Sequence, residues 1–451
     1  MKYVSTRGRA PVLGFADVLL AGLAADGGLY VPETWPALDP VVWSTPRPYV
    51  DVAVDVMWPF VEGSVDRGDL EVMVADAYAT FDHPDVCPVV QLGDLDVLEL
   101  FWGPTLAFKD VALQMVGRLF DHELAARGER ATIVVATSGD TGSAAIEACV
   151  GSEHLDIVVL HPAGRVSDVQ RRQMTTVDAR NVHNVAIEGT FDDCQDLVKA
   201  MFGDVAFRDR VRLSAMNSIN WARVMAQVVY YVTTTARLGR SSFAVPSGNF
   251  GNIFAGWVAE RMGLPIDQLV IASNRNDILA RWVADGSMVA EAVVPTLSPA
   301  MDIQVSSNHE RLLFELGGRD GAATAELLTR FRGVGSVEAP RSDRFQAAAV
   351  GDDEILDVIR SVHESFGVLV DPHTAVGVAA ARARRRSADV PMVCVATAHP
   401  AKFPDAVEEA VGIRPALPAR LADLFDREER YDVLPADLTE VQRYVEACIA
   451  T

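Results

Sequence analysis

The chain has 451 residues, with 62 Asp plus Glu against 40 Lys plus Arg, for a formal charge of −22. That excess excludes nucleic acid or an anionic membrane as the main partner, while a local basic pocket could still take a small anion. A hydrophobic fraction of 49% and a charged fraction of 23% mark a globular protein long enough for about three domains or subdomains. Residues 1–85 read as helical segments between proline-rich turns. An amphipathic helix over 13–23 stops at Asp26-Gly27-Gly28, and Pro32, Pro36, Pro40, Pro46 and Pro48 then interrupt the chain. The pattern is that of a cap packed on a larger body. Next comes Gly103-Pro104-Thr105-Leu106-Ala107-Phe108-Lys109-Asp110, directly ahead of a helix over 111–119. A lysine among Leu106, Ala107 and Phe108 either lays its stem over the core or, poorly hydrated, becomes a neutral amine nucleophile.

From there strands and helices alternate. A β-branched run over 132–137 leads through Ser138-Gly139-Asp140-Thr141-Gly142 into a helix over 143–150, then a strand over 157–160. Asn217-Ser218-Ile219-Asn220-Trp221-Ala222-Arg223 precedes an apolar helix over 224–232. A strand over 243–246, the loop Ser247-Gly248-Asn249-Phe250-Gly251-Asn252, a helix over 253–262 and a strand over 269–273 repeat the strand–loop–helix plan. A helix over 375–385 precedes a strand over 392–396. Such units imply an α/β fold with a parallel sheet, and ligands of such sheets bind beyond the carboxyl ends of the strands, where the Gly-rich loops fall. The tail from 416 reads as charged helices over 420–430 and 438–448, without chemistry.

Five scattered cysteines (Cys87, Cys149, Cys194, Cys394 and Cys448) form no CxxC pair and no Cys/His cluster, so neither zinc nor a disulfide framework is indicated. They suit a reducing cytoplasm. Asp17 interrupts the early apolar run, so no signal peptide is expected, and no apolar stretch is long enough for a bilayer.

The loop 247–252 offers two glycines and a helix N-terminus, which suits a phosphate, although an ordinary capped turn has the same look. It is neither a Walker loop nor a dinucleotide fingerprint. The loop 138–142 is of similar design, and Asp140 is expected to cap its helix or to face a cation or hydroxyl. Arg223 is either an oxyanion fork or a salt-bridge partner. His309 begins an HExxH-like run that fails because Leu313 stands where the second histidine belongs. His373 and His399 read as positioned, non-catalytic histidines in loops at strand ends.

One lysine, a Gly-Asn-Phe-Gly-Asn cup and a Ser-Gly-Asp-Thr-Gly loop on a parallel sheet suggest a pyridoxal 5'-phosphate enzyme. The chain resembles the threonine synthases, of the fold-type II (tryptophan-synthase-β-like) group, nearly end to end. The likeness runs through Met1-Lys2-Tyr3-Val4-Ser5-Thr6-Arg7, Asp26-Gly27-Gly28-Leu29-Tyr30-Val31-Pro32-Glu33 and the run 103–110. It continues in residues 218–223, Ser298-Pro299-Ala300-Met301-Asp302, Asp371-Pro372-His373-Thr374-Ala375-Val376-Gly377 and Thr397-Ala398-His399-Pro400-Ala401-Lys402-Phe403.

The resemblance implies two open parallel-sheet subdomains over 86–415, an N-terminal cap over 1–85 and a helical tail over 416–451. It assigns Lys109 as the Schiff-base lysine, Gly248, Asn249, Phe250, Gly251 and Asn252 to the cofactor phosphate, and Thr397 to the pyridine nitrogen. It puts Ser138, Asp140 and Thr141 at the amino acid's carboxylate side, and Asn217, Ser218, Asn220 and Arg223 at the substrate phosphate. The implied reaction turns O-phospho-L-homoserine and water into L-threonine and phosphate, by γ-elimination and addition of water at the β-carbon. The likeness is to the bacterial and fungal branch, so no S-adenosylmethionine effector is expected. Rival readings are a phospho-lyase giving 2-oxobutyrate, a β-replacing relative and an inactive homologue. Monomer and homodimer both stay open, and no role is apparent for Arg275.

Overall fold

The computed structural model describes residues 1–449. Two parallel sheets carry the body. One has six strands in the order Phe345–Ala349, Ile266–Ser273, Ser241–Pro246, Met392–Ala396, Leu95–Glu99 and Val89–Leu92. All its pairs are parallel except the last, where a tight turn at Gly93 returns the chain antiparallel. The other sheet runs Asp432–Pro435, Val182–Glu188, Leu155–Pro162, Ala131–Ala136 and Leu213–Ser214, all parallel.

The central strands, such as Leu155–Pro162 and Ser241–Pro246, are buried on both faces, which is why they read as unbroken apolar runs. In Ser241–Pro246, Phe243 and Val245 face the main core while Ala244 faces a second cluster with Val376 and Cys394. In Ala131–Ala136, Ile133 and Val135 likewise face the main core and Val134 the opposite side.

Helix Trp221–Leu238 runs through that main core and is buried almost all round. Apolar residues on every side, with Arg223 the one charge before Arg237 and itself buried, explain its position. Helix Lys109–Arg127 lies beside it and meets helix Asp140–Cys149 at Gly117, where any Cβ would sit 2.0 Å from the Ala148 carbonyl oxygen. This close approach sets the N-termini of the two helices, and therefore Lys109 and Asp140, side by side.

The N-terminal segment is helical over Pro40–Ser44, Tyr49–Val61 and Arg67–Tyr78, as read from the sequence, but its start departs from that reading. It opens on a three-stranded antiparallel sheet of Leu13–Gly14, Lys2–Ser5 and Tyr30–Pro32, and its first helix is only Phe15–Ala21. Its side chains join the main core: the Tyr3 ring packs 6.0 Å from Trp221, and the Tyr3 hydroxyl donates to the Phe60 carbonyl at 2.8 Å.

The tail differs too. Residues 420–430 form a short 3-10 turn and further turns in place of a helix. Asp432–Pro435 adds an edge strand, a position where proline costs no sheet hydrogen bond. Helix Leu438–Ile449 then buries Val441 and Val445 against Cys194 and Leu197. No helix among the described residues is long and apolar enough to cross a membrane.

Candidate active site

Both glycine-rich loops follow the carboxyl ends of parallel strands, and Lys109 lies between them. It is the first residue of helix Lys109–Arg127. The approach to it is tightly specified. Asp110 takes the Thr105 N–H at 2.8 Å and the Thr105 hydroxyl at 2.6 Å, and Leu106 sits at φ 62°, a left-handed backbone that costs a non-glycine residue about 1–2 kcal/mol. The Phe108 N–H donates to the Thr397 carbonyl at 2.8 Å, and the His399 N–H to the Leu106 carbonyl at 3.0 Å. These bonds tie the lysine loop to the end of strand Met392–Ala396 and so bring Thr397 into the same cavity.

The loop 247–252 forms the opposite wall. Its carbonyl and amide oxygens are engaged from outside: Ser306 donates to the Gly248 carbonyl at 2.7 Å, Asn308 to that of Asn249 at 2.9 Å, and Ser307 to the Asn249 amide oxygen at 2.9 Å. Asn252 accepts from the hydroxyls of Tyr230 at 2.7 Å and Tyr231 at 2.9 Å. Phe250 is left-handed at φ 64° and starts helix Gly251–Arg261, whose first-turn N–H groups have no partner inside the helix.

Gly248 leaves no space for a side chain, because a Cβ would lie 2.8 Å from the Ala300 carbonyl oxygen and 3.1 Å from the Met301 Cα. Backbone on that side cannot give way easily. Gly248→Val is therefore expected to weaken cofactor affinity about 10- to 100-fold, the cost of 1–3 kcal/mol of overpacking. Gly251→Ala, where the nearest atom is the Asn308 amide nitrogen at 3.3 Å, should cost less. Titrating the full-length protein with pyridoxal phosphate measures both, and equal affinities in the two variants would move the phosphate elsewhere.

Lys109, Thr141, Ser218, Arg223, residues 248–252 and Thr397 line one cavity, together with Phe108, Gln227, Pro246, Ser247, Ala300, Met301 and His373. Asp140 stands just behind the lysine, with its Oδ2 3.0 Å from Lys109 Nζ. Its Oδ1 accepts from Gln170 Nε2 at 2.8 Å and lies 3.0 Å from Nζ of a second lysine, Lys402. Burial pushes the Lys109 amine below its ordinary range, Asp140 opposes that push, and Lys402 and Arg223 reinforce it. For Asp140, burial alone would raise the carboxyl, but Lys109, then Lys402 and Gln170, hold it well below the usual carboxylate range.

Arg223 is 4% exposed, and no protein group satisfies its Nε or Nη1. A buried guanidinium with free donors in a cavity is a ready anion partner. Burial pushes it down to about 10.

Ser138, Asn217 and Asn220 do not line the cavity. Ser138 and Asn217 are exposed, and Asn217 accepts the Ile219 N–H at 3.2 Å in a local turn. Asn220 is fully buried, caps helix Trp221–Leu238 by accepting the Ala222 N–H at 3.0 Å, and donates to the Leu19 carbonyl at 2.8 Å. Short polar side chains at a helix start are used by the backbone first.

His373 lies in the first turn of helix Pro372–Arg384, where a loop was expected, and lines the cavity. Its Nδ1 is 2.7 Å from Asp371 and its Nε2 accepts the Ala300 N–H at 3.2 Å, so the ring holds Asp371 and residue 300 together. His309 packs as an aromatic ring between Phe250 and Trp282, and burial pushes it down to about 3. His399 is pushed down to about 4 by burial and accepts the Ala401 N–H at 3.1 Å. Arg275 is exposed.

The residues present fit a pyridoxal phosphate. An amine held short of full solvation, a glycine cradle that a Cβ would fill and orphaned guanidinium nitrogens meet in one cavity. Comparison with known proteins agrees. The family model described as pyridoxal-phosphate dependent enzyme matches residues 98–398, threonine synthase N terminus matches 2–78, and threonine synthase, C-terminal, matches 374–445. The threonine synthase of Pseudomonas aeruginosa is 56% identical, covering 99% of this chain and 98% of its own.

The chain belongs to the threonine synthase family. A second relative, threonine synthase of Saccharomyces cerevisiae, is 40% identical over 97% of this chain and 93% of its own. The crystal structure of pyridoxal-phosphate-bound threonine synthase from Brucella melitensis superposes with a TM-score of 0.96 at 53% identity, covering 99% of both chains. As a threonine synthase family member the protein is a pyridoxal-phosphate-dependent lyase of fold type II, with mixed α/β architecture and parallel sheets.

Sequence reasoning missed Gln170, Gln173 and Lys402. Helix Asp168–Thr175 presents the two amides three residues apart, one to Asp140 and one to Lys402. Lys402 stands in Pro400-Ala401-Lys402-Phe403, an apolar run like the one that drew attention to Lys109. That signal was present in the chain.

Proposed function

We propose that the protein converts O-phospho-L-homoserine and water into L-threonine and inorganic phosphate. The observation that carries this reading is Arg223, a buried cation with two unsatisfied nitrogens on the wall shared with Lys109. Around a chain of charge −22, a dianionic substrate needs such a local contact.

In this reading the Lys109 amine anchors the cofactor covalently. The N-terminus of helix Gly251–Arg261 and loop residues Gly248, Asn249, Phe250 and Asn252 hold its phosphate, and the Thr397 hydroxyl meets its ring nitrogen. A pyridoxal phosphate held there would supply an electron sink joined to the substrate's α-carbon, which would acidify the β C–H bond whose electron pair expels phosphate from the γ-carbon. The Lys109 amine would take and return protons at the substrate's α- and β-carbons. Asp140 keeps the Lys109 side chain within reach of both. Thr141 and Ser218 bind oxygens of the substrate, and Arg223 grips its phosphate through the guanidinium fork. Phe108, Met301 and Pro246 close the cavity walls against bulk water, which favours one controlled addition of water over early release of the intermediate. The catalytic body over 86–415 is proposed to act in the cytoplasm, as a monomer or homodimer.

A product assay tests the reading. Phosphohomoserine is expected to yield one threonine for each phosphate released. Phosphate with 2-oxobutyrate would instead mark a phospho-lyase, and no turnover an inactive homologue.

A further inference from the structure

Only four of the 40 Lys and Arg residues are lysines: Lys2, Lys109, Lys199 and Lys402. Two of those four meet at one carboxylate. Lys402 is 0% exposed, lies outside the cavity wall, and has three partners: the Thr105 carbonyl at 2.7 Å, Gln173 Oε1 at 2.9 Å and Asp140 Oδ1 at 3.0 Å. Three acceptors around a group with three N–H donors describe an ammonium, and a planar guanidinium would not fill that tetrahedral set. The two amines use different oxygens of Asp140, Lys402 the Oδ1 and Lys109 the Oδ2.

We propose that Lys402 is the standing counter-ion of Asp140, a positioning residue that lets the Lys109 amine lose its proton without leaving a buried carboxylate unpaired. The inference rests on the reading of Lys109 as the residue that binds the cofactor. With one lysine alone, Asp140 would hold Lys109 as its ammonium, because breaking a buried pair strands the remaining charge. An ammonium is neither nucleophile nor base. With Lys402 in place, Asp140 stays neutralised while Lys109 exchanges between free amine, ammonium and covalent link. The other charged or titratable groups close to this trio are Arg223 and Asp110, with His373 and His399 beyond them. Arg223 adds to the repulsion felt by Lys109. Asp110 is engaged by Thr105, and His373 by Asp371.

The test compares wild type, Lys402→Met and Lys402→Arg as full-length proteins. Lys402→Met is expected to move the acid limb of the kcat–pH profile upward by at least about one pH unit, since an opposite charge no longer shared binds Lys109's proton more firmly. The rate at which cofactor attaches to the full-length protein should shift along the pH axis in the same direction. Lys402→Arg should keep the wild-type acid limb even if kcat falls. An unmoved limb in Lys402→Met, or an equal shift in both variants, overturns the proposal and leaves Lys402 as scaffold. If Lys402→Met does not fold, ε-carbon NMR of [ε-13C]lysine wild type decides, because four lysines give four resolvable signals. The Lys109 signal should titrate below the ordinary lysine range, and a Lys109 signal that titrates at or above that range overturns the proposal. Borohydride trapping with peptide mapping, run beside these, reports separately on the reading of Lys109.

Discussion

Lys109→Ala is expected to abolish threonine formation, lowering kcat by at least about 10⁴-fold, and to end covalent attachment of pyridoxal phosphate. The loss is large because one amine serves as both anchor and proton carrier. The structure sharpens how this is measured, since two buried amines flank Asp140. Lys109 lines the cavity with a side chain 11% exposed, whereas the Lys402 side chain is 0% exposed and bonded on all sides. Borohydride treatment of the wild type should therefore place the cofactor on the peptide containing residue 109. The Lys109→Ala protein should bind cofactor only reversibly, through the 247–252 loop, and give no trapped peptide. A trapped adduct at Lys402 in either protein would overturn the assignment.

The parts of the site legible in the sequence are those built from consecutive residues. Gly248 to Asn252 must turn and open a helix within six positions, so the spacing of glycines and polar residues records the geometry directly. Lys109 in its apolar run is likewise a local signal. Asp140 was expected to cap a helix or face a cation, and it faces two. The identity of the second cation depends on Gly117 bringing two helices together and on a loop almost 300 residues downstream of Lys109, with partners 31 and 297 positions apart in the contacts involved. Spacing along the chain carries no record of such meetings. The asparagines failed for the opposite reason. Asn217 and Asn220 have donors and acceptors suited to a ligand, but their nearest competitor is the backbone two residues on. In the fold, the strands legible in the sequence were those with unbroken apolar runs, whereas the interior strands Leu95–Glu99 and Val182–Glu188, interrupted by Asp96 and by His183 and Asn184, were not, and neither were the edge strands. Asp432–Pro435 is short, charged and ends in proline, which reads as loop until a neighbouring strand pairs with it.

Arg223→Gln is expected to lower kcat/KM for O-phospho-L-homoserine by about 10²- to 10³-fold, as two charge-assisted hydrogen bonds to a dianion contribute about 3–4 kcal/mol in an enclosed site. The same position should respond in the opposite sense when stability is read. Burial pushes the guanidinium well below its ordinary range, down to about 10, so the folded protein binds that proton less tightly than the unfolded chain does. A cation with a lowered folded-state pKa opposes folding at every pH where it is charged, and the penalty fades only above about pH 10. The size of the shift corresponds to about 3 kcal/mol. Arg223→Met, which fills the space without the charge, should therefore raise the melting temperature of the protein stripped of cofactor by a few degrees. That rise should be constant from pH 6 to 9, where the wild-type arginine keeps its proton. Inorganic phosphate should inhibit the wild type and stabilise it to heat, and do neither in Arg223→Met. Cofactor affinity identifies the anion concerned. If Arg223→Gln weakens pyridoxal phosphate binding while the fully loaded enzyme keeps its kcat/KM, Arg223 serves the cofactor's phosphate and the substrate's is held elsewhere. If stability, affinity and kcat/KM all stay at wild-type values, Arg223 is a structural arginine whose free nitrogens have no ligand to serve.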